Sequence, residues 1–305
     1  MAALEQVFVL FLLIVVGYVI KKMKIITNDM NRDVSNLVLY VTLPAFLITA
    51  MNFSFSPELL EQSGKLITIS FGVYALAIGI SYLAPKVLGI KGRAKDIYQF
   101  VIVFANVGFM GYPVTKTIFG DIGVFYAAIY NLPFNLLVWT IGIYFLTRRN
   151  EEGNKSFNLK SFLNPGLVAI TTGFLLFLFS VELPYFIYKP LSMLGDATTP
   201  LSMIFIGSML ADVKATEIFS DRKAFMLSVV RLLILPFIVM IILKGLGLGY
   251  YLVGIPVIIT AMPAATNAAI MASKFGSDYR FASKVIFIST LISIFTIPIV
   301  VMFIK

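Results

Sequence analysis

Apolar runs about as long as a membrane crossing alternate along this chain with short polar connections. A spanning helix needs about 20 mainly apolar residues. Ten segments qualify, at roughly 4–22, 33–52, 64–88, 97–118, 121–147, 161–181, 189–211, 222–245, 252–273 and 279–304. Proline interrupts the second and seventh, at Pro44 and Pro200. The first run, MAALEQVFVLFLLIVVGYVIKK, has no basic start and carries Glu5. It ends in lysines without a small-residue cleavage site, so it reads as a retained span rather than a signal peptide.

Composition supports lipid as the solvent. The 305 residues are 59% hydrophobic and 13% charged, with mean hydropathy +0.95. A soluble domain carries about 25% charged residues. The chain has no Cys and no His. Disulfides, thiolate chemistry, imidazole bases and the usual zinc and haem ligands are thereby excluded. The expectation is no metal and no cofactor.

The net charge of +9 is distributed as an orientation signal, not as a nucleic-acid surface. Eighteen Lys and Arg residues fall in one alternate set of connections, from Lys21 to Lys284; only Lys65, Lys116, Lys189, Lys244 and Lys305 fall in the other. The positive-inside rule then places both termini outside the cytoplasm of a cell membrane. The longest hydrophilic stretch, RRNEEGNKSFNLKS at 148–161, is expected to be cytoplasmic.

That stretch divides the chain into 1–148, a linker at 149–160, and 161–305, with five spans on each side. A gap-free shift of 156 residues sets Gly17 on Gly173, Pro44 on Pro200, Gly89 on Gly245, Phe119-Gly120 on Phe275-Gly276, and Thr140-Ile141 on Thr296-Ile297. Five spans per repeat force the two copies to insert in opposite directions. Inverted repeats mark secondary transporters, with the cargo near the midplane. A duplicated membrane protein of another kind is the bland alternative.

The fourth span holds Asn106, Gly108, Gly111 and Pro113 inside an apolar run; the ninth, TAMPAATNAAIMASKFG, holds Pro263, Thr266 and Asn267. Irregular backbone at membrane depth is tolerated only where protein or a wet cavity surrounds it. Two opposed interrupted helices would aim half-helix N-termini at an anion. Proline kinks with glycines for close packing are the bland alternative.

NVGFMGYP resembles the crossover motif of the auxin efflux carrier family, AMPAATNAAIMASKFG its second crossover, and LVLYVTLPAFLITAM its second span. The resemblance covers all ten spans. It implies an all-α integral membrane protein with two inverted five-helix repeats and broken, crossing spans 4 and 9, in the fold shared with bile-acid symporters and sodium/proton antiporters. It further implies a scaffold of spans 1, 2, 6 and 7, a transport domain of spans 3–5 and 8–10, and a homodimer through the scaffold. The implied cargo is a small organic anion: auxin, or a carboxylate such as malate or malonate. Pro113 and Pro263 match the crossover prolines, and Asn106 matches an asparagine near the cargo carboxylate. The large central cytoplasmic loop of the family's plant carriers is absent, and the short loop fits a prokaryotic member.

Asn131 and Asn135 are four apart and share a face of span 5, with Pro133 between them. They serve a second layer around the crossover or bond between helices. Arg231 lies about nine residues, or about 13 Å, into span 8. It either counters a cargo carboxylate or snorkels to the interface; for Lys284, five residues into span 10, snorkelling is favoured. No Asp or Glu falls at mid-span, so cation exchange on buried carboxylates is not expected. An enzyme is not expected either: HExxH zinc chemistry is impossible without His, and no intramembrane aspartate pair is present. The alternative function is a sodium-coupled anion symporter of the bile-acid type.

Overall fold

The computed structural model describes residues 2–149, 164–212 and 221–304. Apart from Arg149, the expected linker lies outside them, as do Lys214 and Lys305. The described chain is helical; its one β-type pairing is a single isolated bridge. The helices are α1 (Ala2–Lys22), α2 (Asn28–Ala50), α3 (Pro57–Val87), α4 (Gly92–Val103), α5 (Val107–Thr147), α6 (Pro165–Leu178), α7 (Tyr185–Ala211), α8 (Arg222–Gly245), α9 (Tyr250–Thr260), α10 (Ala268–Lys274) and α11 (Tyr279–Ile304). Among the described residues, α2, α3, α5, α7, α8 and α11 are long and apolar enough to cross a membrane, and α6 and α9 are shorter apolar helices. Large apolar side chains lie open on their outer faces; Leu12, Phe186 and Phe295 are 64%, 75% and 69% exposed. Such faces belong in lipid, so this is a multi-pass helical membrane protein.

The expected spans 4 and 5 meet in one helical path, α5, bent at Gly120. Gly120 has φ +69°, a left-handed value that costs glycine little. Its counterpart under the 156-residue shift, Gly276, has the same φ. Gly276 closes α10: its N–H bonds Ser273 O at 3.2 Å and the Ser277 N–H bonds Ala272 O at 2.7 Å, which satisfies the last carbonyls.

Prolines also leave a signature inside the helices. Pro44 and Pro236 have no N–H to give, and the turn before each widens. Leu43 N–H reaches back to Val38 O, and Leu235 N–H to Val230 O, five residues rather than four. The resulting π-turns are Val38–Thr42 and Val230–Ile234.

The chain forms two compact units. The first comprises Met1–Ile67, Gly108–Tyr130 and Leu163–Asp212. Here α1 packs along α7. A Cβ on Gly17 would lie 2.2 Å from Ile204 O, and one on Gly207 1.9 Å from Ile14 O, so only glycine permits the approach. Gly173 against Met51 and Gly195 against Phe46 do the same for α2. Close packing through small residues is what drives helix association where lipid removes the hydrophobic incentive.

The second unit comprises Thr68–Val107, Asn131–Phe162 and Val213–Lys305. In it α8 packs on α9 and α11, and α4 packs on the end of α5. Asp96, 1% exposed on α4, accepts from Arg148 Nε at 2.8 Å and from Arg149 Nε at 2.9 Å; Arg148 also reaches Gln99. Spans 1, 2, 6 and 7 fall in the first unit and spans 8–10 in the second, but residues 108–130 of spans 4 and 5 fall in the first.

Candidate functional site: the crossing of two interrupted helices

Within the second unit, α4 ends at Val103 and the chain straightens; Phe104 has φ −108° and ψ 115°. The chain after α9 turns at Ala261 and Met262 and then runs into the segment that carries Ala264. The two extended pieces pair at Ala105 and Ala264 in an antiparallel bridge. The Asn106 N–H donates to Pro263 O at 2.8 Å, and the Ala265 N–H to Phe104 O at 3.4 Å. These bonds flank the pair, so Ala105 and Ala264 occupy a non-hydrogen-bonded position, where opposed side chains come closest. Alanine fits there. Both are buried.

Breaking a helix inside a membrane frees backbone groups that must find partners. Several find partners at the crossing. Pro263 has no N–H to satisfy. The Ala264 N–H donates to Ser289 Oγ of α11 at 3.1 Å. Ile102 O would ordinarily accept from Asn106 N–H, four residues on, but that donor is turned across the crossing. Arg231 replaces it: Nη1 donates to Ile102 O at 2.7 Å, and Nε to Met262 O at 3.1 Å. Arg231 is 1% exposed and is the largest of the fully buried side chains. It sits in the π-turn ahead of Pro236 and points inward, away from the snorkelling alternative. Lys284, by contrast, is exposed and lies 3.5 Å from Asp221, an ion pair at the helix end.

The structure brings Asn106, Pro263 and Arg231 together at the crossing. Asn106 is 3% exposed. Thr266 is half-buried; Asn267 is exposed and immediately precedes α10. Asn131 and Asn135 are buried on α5, on either side of Pro133. Gly108, Gly111 and Pro113 fall in the first unit. Pro113 lies within the helix beyond the π-turn Val107–Gly111, so Pro263 alone of the two prolines takes part in the crossing bonds. Ser289 was not legible as a partner beforehand; its signal is the series Ser289, Ser293 and Thr296 at helical spacing on α11. Among the described residues no group of three acidic side chains stands where a metal ion would need them.

Interrupted helices that cross at a buried break are an arrangement found in many secondary transporters. The match to known families is more specific. Residues 2–301 fit the family described as membrane transport protein, and the chain belongs to that family, the auxin efflux carriers its crossover segments resemble. It is similar to an uncharacterized transporter of Methanocaldococcus jannaschii, 26% identical over 307 residues covering 97% of each chain. It is also similar to an uncharacterized transporter of Methanothermobacter thermautotrophicus, 27% identical over 310 residues covering 98% of this chain and 97% of that one.

Proposed function

We propose that the protein is a secondary transporter that carries a small organic anion across the cell membrane and binds it at the crossing. The observation that carries this reading is the buried guanidinium at the junction of α4 and α9, in spans that hold no carboxylate at mid-depth. A guanidinium buried at the crossing brings positive charge to it, which favours an anionic cargo. Asn106 supplies the amide, with Asn131, Asn135, Thr266 and Asn267 as the surrounding polar groups, and Gly108, Gly111 and Pro113 shaping the chain beyond. The cargo is an auxin-like acid or a carboxylate of the malate or malonate kind.

In this reading the ten spans form two inverted repeats with both termini outside. Spans 1, 2, 6 and 7 are the scaffold, which also supports a homodimer, and spans 3–5 and 8–10 carry the cargo by an elevator-type movement. The clustering of spans 1, 2, 6 and 7 in one unit and 8–10 in the other supports the division.

Purified protein in liposomes tests it. Uptake of labelled dicarboxylates and indole acids is measured with and without sodium and proton gradients. Saturable uptake of at least one anion is expected. Dependence on sodium would favour the bile-acid type of symport, and failure to move any anion in either direction would remove the carrier reading.

A further inference from the structure

The bonds of Arg231 define a role distinct from holding cargo. Its guanidinium spans two carbonyls that are far apart in sequence and lie at two different interruptions: Ile102 at the end of α4, and Met262 in the bend that follows α9. The last carbonyls of a helix lack internal partners and form the negative end of its dipole. Ile102 O is such a carbonyl, and one buried cation serves it together with the bend carbonyl of Met262.

We infer that Arg231 is the positioning residue of the crossing: it binds the carbonyls of Ile102, at the end of α4, and Met262, in the bend after α9, at once and thereby holds Ala105 against Ala264. The residue type follows from the geometry. A guanidinium is a planar fork whose donors diverge, so Nε and Nη1 serve separate acceptors. An ammonium offers its donors from one point. The placement follows from Pro236, whose missing N–H opens the π-turn Val230–Ile234 in which Arg231 sits. The inference goes beyond the proposed function and does not depend on which anion is carried.

The chain has no native cysteine, so a reporter pair is clean. Ala105→Cys with Ala264→Cys places two thiols at a non-hydrogen-bonded antiparallel pair, where Cα atoms lie about 4.5 Å apart, within reach of a disulfide. Mild oxidation of the purified full chain in detergent should close this bond readily when Arg231 is present. Arg231→Met fills similar space without donors, and should slow closure by well over tenfold, since a charge-assisted bond to each of two carbonyls is lost. Arg231→Lys keeps the charge and one bond, and should fall between the two. Closure that fails with Arg231 present, or that proceeds at the same rate in the Met variant, overturns the inference. If the Met variant does not survive purification, the Lys variant decides alone, and a rate equal to that with Arg231 overturns it. Neither readout involves transport, so a failed anion assay leaves this result standing, and the reverse.

Discussion

Ala105 and Ala264 oppose each other in an antiparallel pair made from two interrupted helical segments, with main-chain bonds on both sides. The pair is closed on every side by neighbours; Ala264 has no exposed surface. Extra methylenes there have nowhere to go without separating the strands. Ala264→Leu should cost about 1–3 kcal/mol, the usual penalty of overpacking. Thermal unfolding in detergent checks it, and an unchanged midpoint would contradict the tight pairing.

Much of the architecture was legible beforehand because lipid imposes a simple code: apolar length marks a crossing, and proline or glycine within it marks a break. The interruption after Thr260 is marked by Pro263 in this way, whereas the helix end at Val103 has neither proline nor glycine beside it. The crossing itself was less so. Pro113 looked equivalent to Pro263, yet the bonds fall on Ala105, Asn106 and Ala264, and alanine carries no pattern signal. Arg231 was visible as a costly buried charge, but its direction depended on carbonyls 129 and 31 residues away in sequence. The Asp96 cluster was hidden for the same reason, since local periodicity says nothing of a partner 52 residues on.

Glycines separate into those that make contact and those that do not. Gly207 and Gly17 touch backbone of the facing helix, whereas a Cβ on Gly72 would meet nothing within 4 Å. Gly207→Ala must push α7 off α1, and folded yield by size-exclusion chromatography should collapse. Gly72→Ala should be neutral or stabilise by up to about 1 kcal/mol, because alanine is the better helix former. Equal behaviour of the two variants would contradict the α1–α7 contact.

Asp96 is buried near the start of α4 and pairs with the largely covered Arg148 and the exposed Arg149. Removing one partner of a buried pair strands the other's charge. Asp96→Asn and Arg148→Gln should each lower stability, and the double variant should lose less than the two losses combined. A double-mutant cycle by thermal unfolding should return a coupling of roughly 1–3 kcal/mol. Additive losses would mean the pair contributes nothing in the folded protein.

Asn106 separates the crossing from the cargo. Its backbone N–H makes the bond to Pro263 O at 2.8 Å, while its side chain takes no part in that bond. Asn106→Ala therefore retains the main-chain donor and removes only the amide. The folded yield and the Ala105–Ala264 cysteine crosslink should both match those of the parent protein. Anion uptake in liposomes should fall at least tenfold, roughly what loss of one hydrogen bond to a charged cargo costs. Loss of the crosslink as well would mean that the side chain supports the backbone; parental uptake would remove Asn106 from the binding site and move the search to Asn131 and Asn135.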